Sequence, residues 1–255
     1  MATSFFRDPP RPAARCRYPI LLLHGLFGFV QKRFGLFEAN YFRGVAPYLN
    51  QAGNRARAIG VHPWQTIDYR TRQILSAIEN DPELKDQPLN LIGHSMGGLD
   101  ARYAVSALGL GDRVASVTTI ATPHRGSFLA DLFLWIPGIR KAFPAISNLT
   151  LKATEEFNRE VPDDSRVRYL SIPASSPFWS CCPLLWPTWL ILQIHSGAND
   201  GQVSLESAKW GEVLFEKRAD HVHLIGMRYG LNRLQRESHL DIYGRITEEL
   251  SKRGF

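Results

Sequence analysis

The chain has 255 residues, 44% hydrophobic, 11% aromatic and 21% charged, a balance that excludes disordered and fibrous classes and supplies apolar surface for a large core. Lys and Arg outnumber Asp and Glu by 30 to 24, giving a formal net charge of +6. The basic residues are scattered and no nucleic-acid motif groups them, so the excess reads as ordinary surface charge and no nucleic-acid partner is expected. The longest apolar run, Pro183 to Ile194, is broken by Pro187 and is shorter than the roughly 18–20 residues of a membrane-spanning helix.

Residues 1–17 contain Asp8 and several prolines but no continuous apolar stretch, which is unlike a signal peptide. They are expected to form a flexible lead-in to a single domain over 18–255. The 3 cysteines cannot all pair, and the neighbours Cys181 and Cys182 could bond only under strain, so no disulfide framework is expected. A cytoplasmic location fits this cysteine usage, or secretion if a signal peptide has been trimmed.

From Tyr18 onward, β-rich runs alternate with helical patterns. Tyr18 to His24 is a continuous apolar run ending at Gly25, as expected of a strand buried on both faces of a parallel sheet. Arg57 to Val61 is the next candidate strand. Thr66 can cap a helix whose Ile67, Ile74, Leu75 and Ile78 share a stripe, and Asp81-Pro82 ends it. Leu89–Gly93 then predicts a strand, Met96–Ala107 a helix and Val114–Ala121 a strand. Val167–Ile172 and Leu190–His195 predict two further strands, with another strand pattern at Val213–Phe215. The fold class is therefore α/β, a mainly parallel sheet with helices on both faces.

Two apolar segments interrupt this alternation. Phe128 to Leu149 is punctuated by Pro137-Gly138 and Pro144, and Pro173 to Pro187 holds Phe178, Trp179 and Trp186 among prolines. Both suit either ordinary connecting core or a cover over a lipophilic site, and 128–149 is the expected lid insertion.

Gly93-His94-Ser95-Met96-Gly97 matches G-x-S-x-G between a predicted strand and a predicted helix. A tight strand-to-helix turn crowds the backbone on both sides, so small residues flank the one side chain that must project. Ser95 is accordingly the candidate nucleophile. Attack on a carbonyl needs backbone N–H groups aimed at the developing oxyanion. Met96, after the serine and at a helix N-terminus, can supply one. Leu26 can supply the other, because Gly25 lets the chain turn after the first strong strand. A general base follows the serine in sequence, and His124, His195, His221, His223 and His239 are eligible. Asp200, in the Gly-bounded turn Gly197-Ala198-Asn199-Asp200-Gly201, is favoured as its orienting carboxylate. Asp131, Asp163, Asp164 and Asp220 suit surface or capping positions.

The strings YPILLLHGLFGF, NLIGHSMGGLDARY, VASVTTIATPHRGS, EEFNREVP, GANDGQVS and ADHVHLIG run in order from about residue 18 to 226. With them the sequence resembles the α/β-hydrolase superfamily, and within it bacterial true lipases of the Pseudomonas, Burkholderia and Proteus type. The resemblance implies a Ser, Asp, His triad order and a lipid or ester substrate. It matches His221, 21 residues after Asp200, to the catalytic histidine, and His124 to a structural segment. The secreted lipases hold calcium with two aspartates, one of them two positions after that histidine, where this chain has His223. No metal and no cofactor are expected here. The implied activity is a serine carboxylic-ester hydrolase, a lipase or esterase, whose lipophilic substrate is met in bulk water or at a lipid interface. Phe27, Leu132 and Trp135 are the expected substrate contacts, with medium acyl chains favoured. An acyltransferase or a non-hydrolytic binding relative on the same scaffold is the alternative.

Overall fold

The structure, a computed structural model, describes residues 10–28, 32–34, 37–228 and 237–255. Its strands in chain order are β1 (Ile20–Leu23), β2 (Lys32–Phe34), β3 (Phe37–Ala39), β4 (Ala56–Ile59), β5 (Leu89–His94), β6 (Val114–Ile120), β7 (Arg168–Ile172), β8 (Ala174–Ser175), β9 (Glu212–Val213) and β10 (Lys217–Arg218). Six of them form one sheet in the order β4-β1-β5-β6-β7-β9. Every pairing in it is parallel, with Ile20 opposite both Ala56 and Asn90, and Gly93 opposite Thr119.

The helices are α1 (Val45–Gln51), α2 (Ile67–Glu79), α3 (Met96–Ser106), α4 (Phe128–Phe133), α5 (Ile139–Ala142), α6 (Ala145–Asn148), α7 (Leu151–Glu160), α8 (Trp186–Ser196) and α9 (Leu240–Lys252). Side-chain alternation along β1 builds two cores. Ile20 and Leu22 join Ile92, Leu170 and residues of α1 and α9 on one face, whereas Leu21 and Leu23 join Leu91, Val117 and residues of α2 and α3 on the other. All residues of β1 and β5 are buried, which explains why these strands read as unbroken apolar runs. On α2, the Thr66 side chain accepts the Tyr69 N–H as the sequence predicts.

Three expectations change. Leu190–His195 is not a strand but the C-terminal part of α8. Pro187 lies in its first turn, where its missing N–H costs no hydrogen bond, and the residues before and after it continue a helical rather than an extended pattern. Of the 213–215 pattern only Val213 is in a strand. The part of the N-terminal segment described here is tied down: Arg11 N–H donates to Asp241 Oδ1 (2.8 Å), Ala14 N–H to Thr247 Oγ1 (3.2 Å), Cys16 N–H to Asn54 Oδ1 (2.7 Å) and Arg17 N–H to the Phe255 carbonyl (2.7 Å). Side chains of the C-terminal helix thus supply partners that the sequence alone did not disclose. Residues 1–9 of the lead-in lie outside the described residues.

The insertion at 128–149 is broken where its punctuation predicts, into α4, α5 and α6, with Gly138 at φ 82°. Cys16, Cys181 and Cys182 are free and buried.

Candidate active site

Ser95 sits between β5 and α3 with φ 55° and ψ −130°, a sparsely populated conformation for a residue with a Cβ. Three hydrogen bonds hold it there. Its N–H donates to the Ile120 carbonyl (2.9 Å), and its carbonyl accepts from Thr122 Oγ1 (2.8 Å) and the Gly98 N–H (3.1 Å). The glycines of the motif are sterically required. A Cβ on Gly93 would come within 2.5 Å of Gly97 backbone atoms, and one on Gly97 within 2.2 Å of the Leu23 carbonyl oxygen.

The loop after β1 is packed against this turn, since a Cβ on Gly25 would lie 2.7 Å from Ser95 Cβ. The Leu26 N–H and the Met96 N–H have no acceptor among the described residues, so both are free to bind an anion. Phe27 next to Leu26 has φ 57°, and its N–H donates to the Pro63 carbonyl (2.7 Å).

Arg70 of α2 and Asp100 of α3 hold this loop from behind. Both are fully buried, joined by Arg70 Nη2 to Asp100 Oδ2 at 2.7 Å and Nε to the same oxygen at 2.9 Å. The guanidinium also donates to the carbonyls of His24, His62 (3.0 Å) and Gly25 (3.4 Å). The backbone carrying Leu26 is therefore fixed to the helix that carries Ser95. Sequence reasoning missed this pair, although Arg70 on the Ile67, Ile74, Ile78 stripe was a visible signal. His24 beneath the loop donates from Nδ1 to the Gly25 carbonyl (2.9 Å) and accepts the Val61 N–H at Nε2 (3.3 Å). Burial, then the nearby Arg70 charge, lowers its pKa to about 4, so it is neutral.

His221 Nδ1 donates to Asp200 Oδ2 at 2.7 Å. Asp200 is buried, and its other oxygen accepts the N–H groups of Gln202 (2.9 Å) and Val203 (2.7 Å). With Oδ2 of Asp200 as the acceptor, the His221 proton sits on Nδ1, which leaves the ring lone pair on Nε2. The His221 ring lies against that of His94, the residue before Ser95, with centroids 4.6 Å apart. His94 also shares a 2.8 Å hydrogen bond with the Tyr41 hydroxyl. Burial and, secondarily, His221 push the pKa of His94 well down, so that no second positive charge competes beside His221.

The other eligible histidines stand elsewhere. His124 is buried, bonded to Thr119 Oγ1 (3.0 Å) and stacked on Trp210. His195 is exposed on α8 and not core, stacked on Phe128. His223 lies in a buried turn, and His239 Nε2 donates to the Arg43 carbonyl (2.7 Å). Among the alternative carboxylates, Asp163 meets Arg102 and Trp210, Asp164 meets Arg166, and Asp131 accepts the Leu151 N–H at the start of α7.

The insertion packs beside the turn that holds Ser95. Leu26 and Met96 share one apolar cluster with Ala130, Phe133, Phe143, Ile146 and Leu149. Of the expected contacts, Phe27 packs edge-on against Phe143 at 5.3 Å while remaining 53% exposed. Leu132 and Trp135 lie outside that cluster at 39% and 85% exposure. Phe133, Ile146 and Leu149 are members of that cluster that the sequence did not single out individually.

The calcium arrangement of the secreted lipases does not fit these residues. His223 stands where the second aspartate would be, and the neighbouring Asp220 already accepts the N–H groups of Cys182 and His223 at 2.8 Å each. Among the described residues no group of three or more His, Cys, Asp and Glu is placed to hold a metal.

A parallel sheet with a serine on a strained strand-to-helix turn, a histidine–aspartate pair and two free N–H groups at its carboxyl edge defines the α/β-hydrolase class. The model of the alpha/beta hydrolase family matches residues 20–225, and the chain belongs to that family. It is 32% identical to triacylglycerol lipase 2 of Saccharomyces cerevisiae, over 88% of this chain and 77% of that protein. It is 41% identical to a triacylglycerol lipase of Pseudomonas fragi, over 48% of this chain and 41% of that protein. Among solved structures, a metagenomic carboxyl esterase superposes with a TM-score of 0.77 at 20% identity, covering 96% of this chain and 80% of that one. The Staphylococcus hyicus lipase gives 0.74 at 17% identity, covering 96% and 98%. These two likenesses concern the fold.

Proposed function

We propose that this carboxylic ester hydrolase, of the lipase and esterase type, works through Ser95, His221 and Asp200. His221 Nε2 takes the Ser95 hydroxyl proton as Oγ attacks the ester carbonyl, and the Leu26 and Met96 N–H groups stabilise the oxyanion. The same proton passes to the departing alcohol, leaving an acyl group on Ser95. A water molecule then gives a proton to His221 as it attacks the acyl carbonyl, and His221 returns that proton to Ser95 Oγ as the acid leaves, while Asp200 keeps the imidazole in the required tautomer throughout. The observation that carries this assignment is the His221–Asp200 hydrogen bond at 2.7 Å, with the His221 ring lying against the turn that holds Ser95.

The substrate is a lipophilic ester of medium acyl length. Support comes from the apolar cluster around Leu26 and Met96, which offers an acyl chain Phe133, Phe143, Ile146 and Leu149. Each methylene buried there contributes up to about 0.8 kcal/mol, about fourfold in kcat/KM, until the space is filled. Rates across p-nitrophenyl esters of increasing length test this. Octanoate should be cleaved faster than acetate, and His221→Ala should lose turnover on both. A higher kcat/KM for acetate would remove the acyl chain from this cluster.

A further inference from the structure

The outward side of α8 and of the segment after α4 is also apolar, and no described residue covers it. On α8, Trp186 and Trp189 pack inward against Cys181, Cys182 and Leu185, and Leu192 is buried. The opposite stripe of α8 runs through Pro187, Leu190, Ile191 and Ile194, spaced i, i+3, i+4 and i+7. Leu190 is 48% exposed and Ile194 88%, and Leu184 in the preceding turn is 81% exposed. The ring of Phe128 stacks on that of His195 at 3.7 Å, joining the start of α4 to the end of α8. Just beyond α4, Trp135 at 85% and Ile136 at 50% are exposed.

Among the described residues, the cations of this face that lack a carboxylate partner are Arg140 and Lys141, whereas its acid Asp131 in α4 accepts the Leu151 N–H, Glu216 near α8 pairs with Lys209, and Lys152 pairs with Glu156. Residues 132–154 contain Arg140, Lys141 and Lys152 but no acid, and residues 169–199 contain no Asp, Glu, Lys or Arg, in a chain with 24 acidic residues. Arg140 and Lys141 of α5 are exposed. Neither has a carboxylate partner among the described residues. A second copy of this chain docked face to face would meet Arg140 and Lys141 with acids already engaged, Asp131 by the Leu151 N–H and Glu216 by Lys209. An anionic lipid surface accepts both the apolar side chains and the cations.

We propose that the outer face of α8 and the adjoining α4–α5 segment is a docking surface for an anionic phospholipid bilayer. Leu184, Leu190 and Ile194 enter the boundary of the acyl layer, Trp135 sits at headgroup depth, and Arg140 and Lys141 meet the lipid phosphates. With 11 residues, α8 lies in the interface rather than crossing it. The inference concerns binding and does not depend on which residue attacks the ester.

Co-sedimentation with vesicles tests it, using the Ser95→Ala protein so that no ester is turned over. Wild-type surface residues should bind phosphatidylcholine vesicles containing phosphatidylglycerol at least about tenfold more tightly than pure phosphatidylcholine, with added salt weakening the difference. The double variants Leu190→Asp/Ile194→Asp and Arg140→Glu/Lys141→Glu should each lower binding by at least about tenfold. In the Ser95 background both should keep the parent's melting temperature, and soluble-ester hydrolysis by the otherwise wild-type chain should be unchanged. Equal binding to both vesicle types, or variants that bind like the parent, overturns the proposal. So does a solution dimer that Ile194→Asp dissociates, which would assign the face to a second copy. Loss of ester turnover in Ser95→Ala with vesicle binding intact separates this inference from the catalytic one.

Discussion

At Ser95 the backbone turns from β5 into α3 with φ 55° and ψ −130°. Such a conformation costs a residue with a Cβ on the order of 1–3 kcal/mol, and the bonds to Ile120, Thr122 and Gly98 offset it. Glycine has no such penalty. Ser95→Gly should therefore abolish ester cleavage and unfold about 1 kcal/mol less readily than Ser95→Ala, which loses activity without relief of strain. Paired thermal melts and rates check this, and a glycine variant melting below the alanine variant would show that the turn is not strained. The turn of Ser95 with its glycines, and the position of Asp200, were legible because each stands in a short motif with a strong local backbone preference. The inward-facing residues of the insertion were harder to place, because α4 has only 6 residues, too few for periodicity to fix which side faces inward. Leu132 and Trp135 lie exposed, whereas Phe133 packs beside Met96.

Between elements, the Arg70–Asp100 pair ties α2 and α3 to the loop of Leu26 through carbonyls of His24, Gly25 and His62. Both side chains are fully buried. Arg70→Met would leave Asp100 without its counter-charge and release those carbonyls, at a stability cost of about 3–5 kcal/mol. Leu26 would also lose its alignment with Met96, so kcat should fall further than the stability change explains when activity is measured well below the melting point. A variant of wild-type kcat under those conditions would limit the pair to a packing role. The pair spans 30 residues of sequence, and no spacing rule predicts such a contact. The strand expected at 190–195 failed for a different reason: a short apolar run fits a strand and a helix equally, and the decision came from Pro187 in the first turn and from packing on Cys181, Cys182 and Leu185. By contrast, β1 and β5 were readable because burial on both faces leaves no polar position.

For the molecule as a whole, neutral buried histidines set the acid limit of stability. Burial, followed by Arg70, lowers the pKa of His24 from 6.5 to about 4, and burial first lowers those of His94 and His124 as well. The unfolded chain takes up these protons near pH 6.5 and the folded one does not. Below that value the unfolded state binds more protons, so stability falls from about pH 6.5 towards pH 4. His24 alone accounts for up to about 3 kcal/mol of the loss. Urea midpoints should therefore drop between pH 7 and pH 5, and a constant midpoint would mean that the histidines are solvated. Acylation of the intact protein tests the catalytic assignment most directly: p-nitrophenyl octanoate is mixed with enzyme, quenched in acid within the first turnovers, and the mass and its site are read by mass spectrometry. One octanoyl group on Ser95, absent from Ser95→Ala and formed far more slowly in His221→Ala, is the predicted result. An octanoyl group on another residue, or rapid octanoate release by Ser95→Ala, would contradict it.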